Sequence, residues 1–64
     1  MERFEYRIIL TGSTIEFWCK WTHETEWNLD VEYGAVDGRI PMEAILKIRS
    51  LMWNGTPFSF DPTH

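Results

Sequence analysis

The segment that most constrains the fold is residues 15–22, where side chains alternate strictly along the chain. One set of positions is apolar: Ile15, Phe17, Cys19 and Trp21. The other set is mixed: Glu16, Trp18, Lys20 and Thr22. A period of two is typical of a strand with one buried face. We therefore expect a central strand that has a partner on each side.

The preceding segment, residues 3–11, alternates in the same way and is joined to the central strand by Thr11-Gly12-Ser13-Thr14. A glycine at the first of two central positions favours a type II′ hairpin turn. A two-residue turn also fixes the register. Every inward pair is then apolar: Leu10 with Ile15, Ile8 with Phe17, Tyr6 with Cys19, and Phe4 with Trp21.

On the outward face of this hairpin the same register brings complementary side chains together. Arg7 lies opposite Trp18, which predicts a cation–π contact, and Glu5 lies opposite Lys20, which predicts an ion pair. A slip of one residue would mix the two faces, so the register is well specified.

Residues 27–35 alternate again and predict a third, antiparallel strand. We pair Trp21 with Trp27, which sets three further pairs: Cys19 with Leu29, Phe17 with Val31, and Glu16 with Glu32. The last pair juxtaposes like charges, which is unfavourable. The register of this second hairpin is therefore less firmly specified than that of the first.

Residues 36–39 predict a turn, and a helix is expected from Pro41, at its first position, to about Asn54. Gly55 suits the left-handed cap position that ends a helix. One stripe of this helix is apolar and is expected to cover the sheet: Ala44, Ile45, Ile48, Leu51 and Met52. The covered sheet face is expected to include Phe4, Ile8, Phe17 and Leu29.

The tail, residues 56–62, carries Phe58 and Phe60 at strand spacing between two prolines. It forms either a short edge strand or a segment that only packs its rings against the core. The predicted fold class is α+β, a three-stranded antiparallel meander packed on one helix. Sixty-four residues are enough for a single domain.

Charge and composition exclude several classes of function. Six basic residues against ten acidic ones, with a net charge of −4, make nucleic acid an unfavourable partner. One cysteine excludes an internal disulfide. The chain lacks a signal-peptide pattern and an apolar run of the ~20 residues that a membrane span needs. We expect a cytoplasmic protein without membrane association or cofactors.

Catalytic and metal motifs are weak. Cys19, the one thiol, falls on the inward face of the central strand and is expected to be a buried small hydrophobe. His23, Glu24 and Glu26 are grouped, but a helical zinc motif needs two histidines one turn apart. We interpret this group as a solvated loop and expect no metal site and no enzymatic activity.

Four carboxylates are expected on the outer face of the sheet: Glu16, Glu26, Asp30 and Glu32. Paired carboxylates serve as acid and base only in a cleft that separates their environments. A solvated sheet face is the simpler interpretation. Imitation of DNA phosphates toward a basic partner is a second one.

The helix carries a further apolar stripe formed by Met42, Leu46 and Trp53, with Arg49 beside it. It belongs either to a wide core-facing side, flanked by the phenylalanine tail, or to a partner-binding surface. Arg and Trp are enriched at interface hot spots. The second candidate surface is Trp18 with Arg7 on the outer sheet face.

These features predict a non-enzymatic, acidic protein-binding module. Small chains of this character include phage and mobile-element products that bind and block a host protein, and we expect an inhibitor of that kind. The alternative is a structural or assembly protein that acts as a homodimer or larger homo-oligomer.

Overall fold

A computed structural model describes residues 3–62 of the chain. A four-stranded mixed sheet and one helix follow in chain order: β1 (Phe4–Leu10), β2 (Thr14–Trp21), β3 (Asn28–Gly34), α1 (Met42–Trp53) and β4 (Phe58–Pro62). The strand order across the sheet is β3-β2-β1-β4. The α+β class and the three-stranded meander with one helix are confirmed.

The first hairpin has the predicted register over its whole length, from Phe4 opposite Trp21 to Leu10 opposite Ile15. The type II′ assignment is wrong, because Gly12 does not adopt a positive φ. The Thr11 hydroxyl instead closes the turn by accepting the Thr14 amide N–H at 2.8 Å. The two-residue loop length, which is independent of turn type, sets the register.

The second hairpin departs from its predicted register at a β-bulge. Phe17 pairs with Val31 as expected, but the next residue, Trp18, pairs with Leu29, so Asp30 is the extra residue in β3. The predicted pairs Cys19 with Leu29 and Trp21 with Trp27 are therefore wrong; Cys19 lies opposite Asn28. A bulge inserts one residue and reverses the alternation beyond it.

The bulge exchanges the faces of two side chains. Leu29, expected inside, shares the outer face with Trp18 and is 48% exposed. Asp30, expected outside, reaches Tyr6 and Lys47 on the helix-covered side, which satisfies its carboxylate there. These contacts come from residues far away in sequence, so alternation alone does not reveal the bulge.

The turn after β3 and the end of α1 both use left-handed backbone. Asp37 and Gly38 have φ of 53° and 73°, as in a type I′ turn, and the Arg39 amide donates to the Val36 carbonyl at 2.9 Å. Gly55 has φ of 69°, which confirms the predicted cap. The Thr56 amide N–H donates to the Leu51 carbonyl at 2.9 Å, completing a Schellman-type end.

At its other end, the helix begins one residue later than predicted. Pro41 is the N-cap, with extended backbone (ψ 159°), and its carbonyl accepts from the amides of Ala44 and Ile45. Pro41 donates no backbone hydrogen bond, so its position before the first turn is compatible with the helix.

The core lies between the helix and one sheet face. Its buried members are Ile8, Ile15, Phe17, Ala44 and Leu51. Tyr6, Val31, Ile48 and Phe58 are among the half-buried residues that pack against them. Three expected core members are exposed, namely Phe4, Leu29 and Met52. Phe4 instead stacks on Trp21 near the sheet end, at 3.8 Å between ring centroids.

The tail forms the fourth strand, which confirms the edge-strand alternative. It pairs with β1 in parallel, with Tyr6 opposite Phe58 and Ile8 opposite Phe60. The chain therefore leaves β3 at one sheet edge and returns through α1 to the other edge. This crossover leaves the helix over one face of the sheet.

Candidate protein-interaction surface

The helix presents a second stripe that faces away from the sheet. Its members, called here the outer stripe, are Met42, Leu46, Arg49 and Trp53. At about 100° per residue they fall within an arc of roughly 60°. The buried Leu51 lies nine residues from Met42, which places it about 180° around the axis. The outer stripe is thus opposite the core-facing side.

The apolar members of the outer stripe are exposed to solvent. The exposed fractions are 61% for Met42, 54% for Leu46 and 91% for Trp53. Trp is among the most deeply buried residue types on average. An almost fully exposed Trp on the same helical face as an exposed Leu and Met is therefore the most unusual feature of this surface.

Apolar exposure continues along one flank of the helix. Met52, which the sequence assigned to the core stripe, is more than half exposed. It lies about 140° around the axis from Lys47. Since Lys47 reaches toward β3, Met52 is on the flank toward β4. There Phe60 is also more than half exposed, beside Phe58.

Sequence reasoning missed Met52 and Phe60 as surface residues. The apolar stripe assigned from the sequence, from Ala44 to Met52, spans a wider arc around the helix than the sheet covers. The position of Phe60 depends on the parallel pairing of β4 with β1, and no sequence pattern predicts that direction.

The outer sheet face is mainly polar, and its cations Arg7 and Lys20 are paired within the chain. Lys20 lies 2.9 Å from the Glu5 carboxylate, which confirms the predicted ion pair, and 5.2 Å from the centroid of Trp27. Arg7 forms an ion pair with Asp61 of β4. Each cation therefore already has an internal partner.

Trp18 and Arg7, the second predicted surface, lie opposite each other, but the predicted cation–π contact is wrong. Among residues 3–62 the cation–π contacts involve Lys20 and Lys47. The Trp18 indole N–H donates to the Glu16 carboxylate at 3.0 Å. The polar groups of this pair are occupied by Glu16 and Asp61, although both side chains remain half-exposed.

The bulge builds a polar cluster between sheet and helix. The Tyr6 hydroxyl donates to the Asp30 carboxylate at 3.1 Å, and Lys47 Nζ lies 2.8 Å from the same oxygen. Burial would lower the pKa of Lys47, but the hydrogen bond to Asp30 and the charges of Asp30, Tyr6 and Tyr33 together outweigh burial and raise that pKa. Burial, together with Asp30, raises the pKa of Tyr6. The cluster anchors α1 to β3.

Cys19 is half-buried beside this cluster. Burial, followed by the charge of Asp30, raises the pKa of its thiol. A raised pKa lowers the thiolate fraction and with it the reactivity. Its position therefore suits a packing role.

The acidic residues do not converge on one site. Glu16 and Glu32 face each other as predicted, whereas Asp30 is turned to the other side of the sheet, so the expected four-carboxylate group is wrong. Glu24 accepts the Trp21 amide N–H at 2.8 Å, which closes the loop that holds His23. Within residues 3–62 no three His, Cys, Asp or Glu side chains are arranged to hold a metal ion.

Both sheet edges are poorly suited to pairing with another strand. The β3 edge carries the bulge and two carboxylates, Asp30 and Glu32. The β4 edge is five residues long and ends at Pro62. Bulges, charges and prolines are the usual means by which proteins block edge pairing. The outer stripe is therefore the strongest candidate for contact with another chain.

Comparison with family models, curated sequences and solved structures gave no match. The fold and this surface define a small α+β domain with an apolar stripe on the solvent side of its helix. In the part of the chain that the structure describes, no helix has the length and apolar character needed to cross a bilayer.

Proposed function

We propose that this chain is a non-enzymatic protein-binding module that binds through the outer stripe of α1. The observation that carries this proposal is the 91% exposure of Trp53 on the same helical face as Met42 and Leu46. Solvated apolar side chains gathered on one face mark interaction sites more often than scattered ones do. Helix-borne interfaces use anchors three or four residues apart, which is the spacing found here.

The composition of the outer stripe supports a protein partner. Trp and Arg are the residue types most enriched at binding hot spots, and Met adapts its shape to a partner surface. The net charge of −4 favours a partner with a basic surface and opposes nucleic acid.

The biological role we propose for this binding is inhibition in the cytoplasm: the module covers a functional surface of a host protein, as small phage or mobile-element proteins do. This role requires a stable docking face and no catalytic group. The half-buried, poorly activated Cys19 and the dispersed carboxylates agree with it.

The test is quantitative capture of cytoplasmic proteins by the tagged chain and by Trp53→Ala. We expect the variant to weaken a specific complex by about 2 kcal/mol or more, since truncation of a Trp that anchors an interface has effects of that size. Val36→Ala, which trims another exposed apolar side chain outside the stripe, is the control. Equal retention by all three proteins would contradict the proposed function.

A further inference from the structure

We propose that Asn54 is a site of spontaneous deamidation, and that the folded end of α1 holds this reaction in check until the end opens. The site is the Asn54-Gly55 pair, which directly follows the last residue of the helix. Asparagine is a thermolabile residue type. A glycine after it removes the side chain that would hinder ring closure. The inference does not depend on what the outer stripe binds.

The reaction needs only these two residues and water. The Gly55 amide nitrogen loses its proton and attacks Cγ of Asn54, which forms a carbon–nitrogen bond and closes a five-membered succinimide ring. The bond between Cγ and the side-chain nitrogen breaks, and that nitrogen takes up a proton and leaves as ammonia. Water then opens the ring at either carbonyl carbon, which leaves an aspartate or an isoaspartate.

Backbone hydrogen bonds at the end of α1 oppose the first step. The Gly55 amide N–H donates to the Met52 carbonyl at 3.1 Å, so the proton whose loss starts the reaction is held. The amides of Asn54 and Thr56, on either side, donate to carbonyls of the last helical turn at 3.0 Å and 2.9 Å. The attacking nitrogen is therefore the middle one of three bonded amides in the helix cap.

The backbone angle at Asn54 opposes ring closure as well. The succinimide ring contains Cα, Cβ, Cγ and the carbonyl carbon of Asn54 and the Gly55 nitrogen. Ring closure therefore needs Cβ to be nearly eclipsed with that nitrogen about the Cα–C bond. At the observed ψ of −2°, the amide nitrogen of Asn54 takes this position instead. The end must unwind before the ring can close, as helix ends do when they fray.

The site is open to water, which the second step consumes. Asn54 and Gly55 are both exposed, and together with Arg3 and Phe4 they line a shallow cleft. Among the described residues, nothing beyond its chain neighbours lies within 4 Å of the place where a Cβ on Gly55 would sit. Isoaspartate adds one carbon to the main chain, so the three amide hydrogen bonds cannot all form again. Opening permits the reaction, and the isoaspartate product then prevents full closure.

Incubation of the full chain in mildly alkaline buffer, with guanidinium chloride or with sodium chloride at the same concentration, tests the proposal. Digestion with pepsin in acid, followed by mass spectrometry, measures conversion at each asparagine. The chain has two asparagines, and Asn28, which precedes Leu29, is the internal control. We expect Asn54 to convert at least about tenfold more slowly in the folded chain than in the unfolded one, because the open end is a minor state. In the unfolded chain, Asn54 should convert faster than Asn28.

Two variants separate opening of the helix end from mere exposure of the site. Leu51→Ala removes the buried side chain that anchors the last turn, and should speed the conversion of Asn54 without denaturant. Met42→Ala trims an exposed side chain at the other end of α1 and should leave the rate unchanged. Three results would each overturn the proposal: equal conversion of Asn54 in the folded and unfolded chain, equal conversion of Asn54 and Asn28 after unfolding, or equal rates in the two variants.

Discussion

The outer face of the sheet and the outer stripe of the helix both meet solvent, yet they are built in opposite ways. On the sheet, Arg7, Lys20 and the Trp18 indole each have a partner within the chain. On the helix, Trp53 and Met42 project into solvent with their apolar surfaces uncovered. Burying a large apolar side chain stabilises a protein by roughly 1.5–3 kcal/mol. For Trp53 and Met42, this stabilisation is available only through contact with another molecule.

Exposure to solvent alone therefore does not mark a binding surface. A polar face whose groups are internally paired gains little from a partner, because the partner must replace contacts that already exist. An apolar face gains from any complementary cover. The helix is therefore apolar on two opposite sides, one that covers its own sheet and one that is exposed to solvent.

The largest expected effect separates the two faces of the sheet. Ile8→Asp places an unpaired charge at a fully buried position, and we expect the chain to be unfolded at 25 °C. Ile9 is the next residue and lies on the outer face, so Ile9→Asp should leave the chain folded, with a cooperative unfolding transition. Urea titration followed by circular dichroism measures both. Equal loss would show that the outer sheet face is also part of a core.

The next effect concerns the bulge that turns Asp30 toward the helix. Asp30→Asn removes the charge that pairs with Lys47, and we expect a loss of about 1 kcal/mol for a partly exposed pair with a further hydrogen bond. Glu32→Gln is the control, because it relieves the repulsion from Glu16 and should not destabilise. A larger loss from Glu32→Gln would mean that the bulge is assigned to the wrong residue.

The same cluster predicts how stability depends on pH. The pKa values of Tyr6, Cys19 and Lys47 are all raised from ordinary values of 10.0, 9.0 and 10.5. The folded chain then holds protons that the unfolded chain releases, so stability is full below pH 9 and falls as pH rises through these values. In Asp30→Asn this alkaline fall should be shallower, which urea titrations at several pH values would detect. A rise in stability above pH 9 would contradict the assigned cluster.

A change in folding stability of similar size to that of Asp30→Asn is expected on the sheet side of the comparison. Trp18→Ala removes a half-exposed ring and its bond to Glu16, and we expect a loss of about 1 kcal/mol in folding stability. Association with any partner should be unchanged. If Trp18→Ala weakened association more than Trp53→Ala does, the binding surface would lie on the sheet and not on the helix.

The first hairpin was predictable because a two-residue turn and an alternating pattern specify the same register. The register of the second hairpin was predictable only on the far side of the bulge from the loop, where Phe17 pairs with Val31. The bulge itself depends on contacts of Asp30 with Tyr6 and Lys47, which lie in another strand and in the helix. Sequence pattern identified the outer stripe as one of two alternatives. The width of helix that the sheet covers decides whether the outer stripe is buried or exposed, and that width depends on tertiary packing.

Helix α1 has a core side and a separate, solvent-facing side, which we propose is the binding side. Urea unfolding of Leu51→Ala and Trp53→Ala, at concentrations low enough to exclude self-association, tests this separation most directly. We predict a loss of about 2–5 kcal/mol for Leu51→Ala, from the core side, and a change within about 0.5 kcal/mol for Trp53→Ala. A loss of about 3–5 kcal/mol for Trp53→Ala would place that ring in the core and contradict the claim.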